Sequence, residues 1–155
     1  MIFTTESAEG AESTRREEGL NRTSGTVIGG AIEVHRVLGP GLLESAYEAC
    51  LASELAARGI RVERQRTLPV VYKGAEIDCM YRLDMVVEDC VLVEIKAVEH
   101  LLPVHEAQIL SYLRLSGLPL GLLINFHCAT LRQGIRRFCN FPPSHPPSAP
   151  SAPLW

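Results

Sequence analysis

The 155 residues suffice for one domain with a single core and leave no room for a second. With 46% hydrophobic and 21% charged residues, no apolar run near the roughly 18 residues of a membrane span, and a polar start in place of a signal peptide, a cytoplasmic protein without membrane association is expected. The net charge of −3 comes entirely from the first 20 residues, with five acids and two arginines, so the neutral body neither requires nor excludes a nucleic-acid partner.

Residues 1–22 mix Glu, Ser, Thr, Gly and Arg without hydrophobic periodicity and are expected to be a disordered polar tail. In TVIGGAIEVHRVL, Val27, Ile28, Ala31, Val34 and Leu38 fall on one face at helical spacing, weakened by Gly29 and Gly30. Gly39-Pro40-Gly41 breaks the chain, and a second helix runs from about Leu42 to Arg58 with Gly59 as its stop. From Ile60 to Val98 the residues become β-branched and aromatic, with turns at Lys73-Gly74 and Glu88-Asp89, which predicts a three-stranded antiparallel meander. Pro103 opens a third helix ending near Gly117, LPLGLLINF reads as a buried strand, and a last strand fits Gly134 to Cys139. The Pro/Ser-rich residues 141–155 are expected to be a second disordered tail, leaving a folded domain over 23–140. This order implies an α/β sandwich built on a mixed sheet. The five cysteines are odd in number and lack zinc-ligand spacing, so reduced, mostly buried thiols are expected.

The run VLVEIKAV is apolar enough to lie inside a sheet, yet it contains Glu94 and Lys96. Side chains two apart on a strand face the same way, so the carboxylate and the amine are neighbours. Alone, they could be a plain ion pair on a half-exposed edge. Asp84, set among apolar residues in YRLDMVV, lies on the preceding strand, where the Glu88-Asp89 turn can bring it beside Glu94. Two buried carboxylates repel and ask for a proton or a cation, and Mg²⁺ or Mn²⁺ suits oxygen ligands. Only Lys73 and Lys96 among the 15 basic residues are not arginine, so position 96 favours a compact point charge. Glu44 and Tyr47 share a face of the second helix, and His105, Gln108 and Tyr112 form a stripe on the third; either can be a solvated face or a wall of the same site. His35 and His105 can be buried, hydrogen-bonded residues or donors to a carboxylate or phosphate. Arg61, Arg64 and Arg66, and later Arg132, Arg136 and Arg137, can track phosphates or form a solvated face.

Gly41-Leu-Leu-Glu44-Ser-Ala-Tyr47, together with AIEVHRVLGPGLLESAYE, LVEIKAVE, HEAQILSYLRLSG and GLLINF, resembles the GxxExxY protein family over about residues 27–140. That family is grouped with the PD-(D/E)XK nuclease-like proteins, so the resemblance implies a mixed sheet flanked by helices. It also implies a helix-borne acid at Glu44, metal ligands at Asp84 and Glu94, the lysine of the motif at Lys96, and a QxxxY element at Gln108 and Tyr112. The implied activity is Mg²⁺- or Mn²⁺-dependent hydrolysis of DNA or RNA by metal-activated water, without a covalent intermediate. The alternative is a non-catalytic nucleic-acid-binding or assembly module that retains the fold. The small domain also fits a homodimer or a protein partner.

Overall fold

The computed structural model describes residues 5–140. Two helices, α1 (Thr5–Leu38) and α2 (Glu44–Ala57), precede the strands β1 (Val62–Tyr72), β2 (Ala75–Val87) and β3 (Val91–Lys96). Helix α3 (Pro103–Ser116), strand β4 (Leu120–Asn125), a 3-10 turn at Leu131–Gly134 and strand β5 (Ile135–Cys139) complete the domain. The sheet order is β1-β2-β3-β4-β5. All neighbours are antiparallel except β3 and β4, which run parallel because α3 carries the chain back across the sheet. The architecture is thus the mixed α/β sheet with an antiparallel meander that the sequence predicts.

Two apolar layers flank the sheet. On one side Val27, Ala31 and Val34 of α1 and Tyr47, Leu51 and Leu55 of α2 pack on Met85, Val87, Val91, Val93, Ile95, Leu122 and Ile124. On the other, Ile109 and Leu113 of α3 pack on Leu83, Val86, Leu92 and Leu123. The alternation of β3 therefore points Val93 and Ile95 at α1 and α2, and Leu92, Glu94 and Lys96 at α3. Gly30 is the close-approach point of the two N-terminal helices: a Cβ there would lie 3.1 Å from Leu55 Cδ2. The glycine that weakens α1 as an isolated helix thus lets it pack.

The turns follow their sequences. Lys73 (φ 48°) and Gly74 (φ 79°) form a two-residue hairpin loop of left-handed residues, and Glu88 and Asp89 are left-handed in the three-residue loop that joins Val87 to Val91. Gly117 (φ 71°) ends α3 in the left-handed conformation expected of a C-terminal glycine.

One expectation is corrected within the described residues. Residues 5–22, read as disordered tail, are the first half of the 34-residue α1. The segment has no apolar period because residues 8–18 are exposed all round, yet its Glu, Ala and Arg are good helix formers. Leu20, 5% exposed, and the residues after it anchor the helix, which propagates backward from a packed end at little cost. Residues 141–155 lie outside the described residues. The thiols are free, as expected among the described residues, but not mostly buried: Cys50, Cys90 and Cys128 are half-buried, and Cys79 and Cys139 are exposed on outer strand positions. No helix among the described residues is long and apolar enough to cross a membrane.

Candidate active site

The β2–β3 ladder pairs Val87 with Val91, Val86 with Leu92 and Met85 with Val93, and then stops. At the next position side chains replace it. The Asp84 N–H donates to Glu94 Oε1 at 3.2 Å, and the Ile95 N–H donates to Asp84 Oδ2 at 2.9 Å. Each carboxyl thus takes a main-chain donor that a strand carbonyl would otherwise have taken. The ladder on the other side of β2 is broken at the same place. Arg64 pairs with Met85 and Arg66 with Leu83, while Gln65 between them, opposite Asp84, adopts φ 55°. The facing of β2 slips by one residue there, because Leu83 and Val86 both pack in the α3 layer whereas Met85 and Val87 pack in the other. Asp84 therefore sits where β2 parts from both neighbours, and the gap admits a second carboxyl beside it.

Glu94 is only 3% exposed. Burial, and then the negative charge of Asp84, push its carboxyl from an ordinary 4.5 up to about 9. The Asp84 N–H and Lys96 pull the other way and do not prevail; a proton shared with the Asp84 side chain adds to the rise. At neutral pH Glu94 consequently keeps its proton. A divalent cation in place of that proton would satisfy both carboxylates, so the chemistry of the pair fits a metal ion. Among the described residues no three His, Cys, Asp or Glu side chains converge as a metal-binding group. The donor set is two carboxylates, and it suits a hard ion such as Mg²⁺, which commonly takes one or two carboxylates and keeps several waters.

Lys96 leaves the same face of β3 two residues on. Its Nζ donates to Gln108 Oε1 at 3.1 Å, and Gln108 Nε2 donates to the Tyr112 hydroxyl at 3.1 Å. Gln108 and Tyr112 are one turn apart on α3, so the helix holds the ammonium through a fixed line of groups. Burial first, and then the charges of Glu94 and Asp84, raise the Tyr112 phenol above its ordinary value, which keeps it a neutral hydroxyl beside the acid pair. The main chain of Lys96 is fixed as well. Its carbonyl accepts the Phe126 N–H at 2.9 Å, and the buried Asn125 side chain accepts from Val98 N–H and donates to Val98 O, clamping the chain that leaves β3.

Asp84, Glu94, Lys96, Gln108 and Tyr112 thus come together. Glu44 does not join them: it is exposed on the first turn of α2, in the layer opposite α3, and makes no hydrogen bond or ion pair with the cluster among the described residues. The buried acid of α2 is Glu48, one turn on and 8% exposed. Its carboxylate accepts from Gln65 Nε2 at 2.8 and 3.0 Å and from Arg64 Nε at 3.4 Å. It therefore holds Gln65 in the conformation that interrupts β1 opposite Asp84. Sequence reasoning missed Glu48, Gln65 and Asn125. Only Asn125 carried a usable signal, as the one polar side chain in the apolar run LGLLINF.

The other residues of the GxxExxY segment have structural work. Gly41 adopts φ 102°, and the Tyr47 hydroxyl donates to Gly39 O and accepts the Leu42 N–H, tying the loop down while the ring stacks on Phe126 at 4.4 Å. His35 bonds the Cys128 carbonyl, and His105 Nδ1 accepts the Leu102 N–H at the start of α3, so neither meets the acid pair. Arg64 pairs with Glu48, and Arg66 with Glu63 and Asp89.

No curated protein and no solved structure matches the chain significantly. A sequence profile of the PD-(D/E)XK nuclease superfamily, by contrast, matches residues 21–138, from the packed half of α1 into β5. That span contains the acid pair of β2 and β3, the lysine two residues beyond it and all three layers of the fold, and the chain belongs to the PD-(D/E)XK nuclease superfamily.

Proposed function

We propose that this protein is a nuclease that hydrolyses phosphodiester bonds of DNA or RNA with Mg²⁺ or Mn²⁺ held by Asp84 and Glu94. The observation that carries the reading is the acid pair, buried Glu94 set beside half-buried Asp84 at a break in the sheet, each carboxyl taking a main-chain N–H of the other's strand. When bound, the cation supplies an activated water and neutralises charge on the phosphate. Asp84 and Glu94 bind and orient it. The Lys96 ammonium stands on the same face, placed to hold the attacking water and to stabilise negative charge developing on the phosphoryl oxygens. Gln108 aims that ammonium, and Tyr112 fixes Gln108. Glu44, exposed on the first turn of α2, would assist the cation or its waters.

The test is cleavage of single- and double-stranded DNA and RNA in Mg²⁺ or Mn²⁺. Asp84→Ala is expected to abolish both metal binding and cleavage. Lys96→Ala is expected to keep metal binding while lowering kcat by about 10²–10³-fold, the usual cost of losing one group that stabilises transition-state charge. Wild type and variants that are equally inert, with metal binding intact, would instead mark a non-catalytic nucleic-acid-binding or assembly module.

A further inference from the structure

We propose that the open groove between β2 and α3, beside the acid pair, is a subsite for an unpaired nucleobase, which makes single-stranded nucleic acid or a frayed duplex end the substrate; the inference rests on the nuclease reading above. The groove has a volume of about 520 Å³ and is lined by Tyr81, Val104, His105, Gln108, Ser111 and Tyr112. Tyr81 and Tyr112 meet in a tilted pair, centroids 5.5 Å apart at 51°, which braces both rings. Both are half-buried, so part of each ring faces the groove. An aromatic platform of this kind holds any base by its π face.

The polar lining suits the edges of a base. Ser111 Oγ accepts from Arg114, which leaves its hydroxyl proton to donate. His105 Nδ1 accepts the Leu102 N–H, so a neutral ring carries its proton on Nε2 and offers a second donor. No lysine or arginine lines the groove to recruit a phosphate, and the Arg114 guanidinium beside it is bonded to Ser111 Oγ. The cation that could do so is Lys96, and Gln108 joins the two places: its Oε1 accepts from Lys96 Nζ, and its Nε2 donates to the Tyr112 hydroxyl at the groove wall. A base on the tyrosines and a phosphate at Lys96 are therefore separated by one side chain. Inside a duplex both faces of every base are covered by its neighbours, so only an unstacked base can occupy the groove.

The experiment measures binding apart from cleavage. A 2-aminopurine-labelled single-stranded oligonucleotide and the corresponding blunt duplex are titrated onto wild-type protein in chelator and onto Asp84→Ala in Mg²⁺. The single strand is expected to bind more tightly than the duplex, with the 2-aminopurine fluorescence quenched. Tyr81→Ala should weaken single-strand binding by about 5–100-fold, the usual value of one base–aromatic stack. Tyr81→Trp should restore it, and Tyr81→Leu, which keeps bulk without an aromatic face, should not. In cleavage by otherwise wild-type protein, Tyr81→Ala should raise KM with kcat little changed. Binding of the single strand that is indifferent to all three Tyr81 variants, or tighter binding of the duplex, overturns the subsite even if cleavage is intact. Tyr81-dependent binding with no cleavage of any substrate supports the subsite and removes the nuclease reading instead.

Discussion

Glu94 concentrates the energetics of the site. An acid whose native carboxyl titrates near 9 rather than 4.5 binds a proton more tightly folded than unfolded. Between those limits the native state therefore holds more protons than the unfolded chain, and stability falls as pH rises. The contribution is complete below about pH 4.5 and lost as pH climbs through about 9. In metal-free protein Glu94→Gln, which keeps an amide oxygen for the Asp84 N–H, is expected to flatten this slope and to raise stability at neutral pH by about 1–3 kcal/mol. Denaturant titrations across the pH range check it; an unchanged slope would show that the carboxyl is already ionised. The same proton must leave when a cation enters, so the affinity of wild type for Mg²⁺ should rise up to about tenfold per pH unit below 9. Asp84, Glu94 and Lys96 were legible in the sequence because charges inside apolar strands need a reason. The left-handed Gln65 was not, since nothing in a glutamine marks a break in a ladder, and Glu48 looks like any helix acid until its burial is seen.

At the scale of elements, the meander, α3 and β4 followed from apolar alternation and from the Gly and Pro punctuation at 73–74, 103 and 117. The outer half of α1 did not, because a helix exposed on every side has no period to read. Nor did the seam that supports Lys96 from behind. Gly134 closes the 3-10 turn so tightly against β4 that a Cβ there would lie 2.2 Å from the Asn125 carbonyl oxygen. Gly134→Ala is expected to push the turn off β4, to cost roughly 2–4 kcal/mol as overpacking against rigid backbone does, and to loosen the Asn125 clamp on Val98. Thermal unfolding measures the first effect, and a drop in kcat larger than the loss of folded protein measures the second. An alanine variant as stable as wild type would contradict the packing.

Across the whole molecule the two helix layers are unequal in task. The layer of α1 and α2 supplies most of the burial, whereas the α3 layer is thinner and carries the polar line from Lys96 to Tyr112. Stability and chemistry are in this way assigned to opposite sides of one sheet. Residues 8–18 extend α1 beyond both layers without a buried side chain, so removal of residues 1–18 is expected to leave the melting temperature within about 3 °C and the metal affinity unchanged. A large fall in either would reveal a docking role for that extension. The break in the sheet has one more consequence. The amides of Asp84 and Ile95 donate to the two acid side chains and not to strand carbonyls. Their proton resonances are therefore coupled to whatever the carboxyls hold, and two backbone signals of the fold become built-in reporters of proton against cation, readable in solution before any substrate is known.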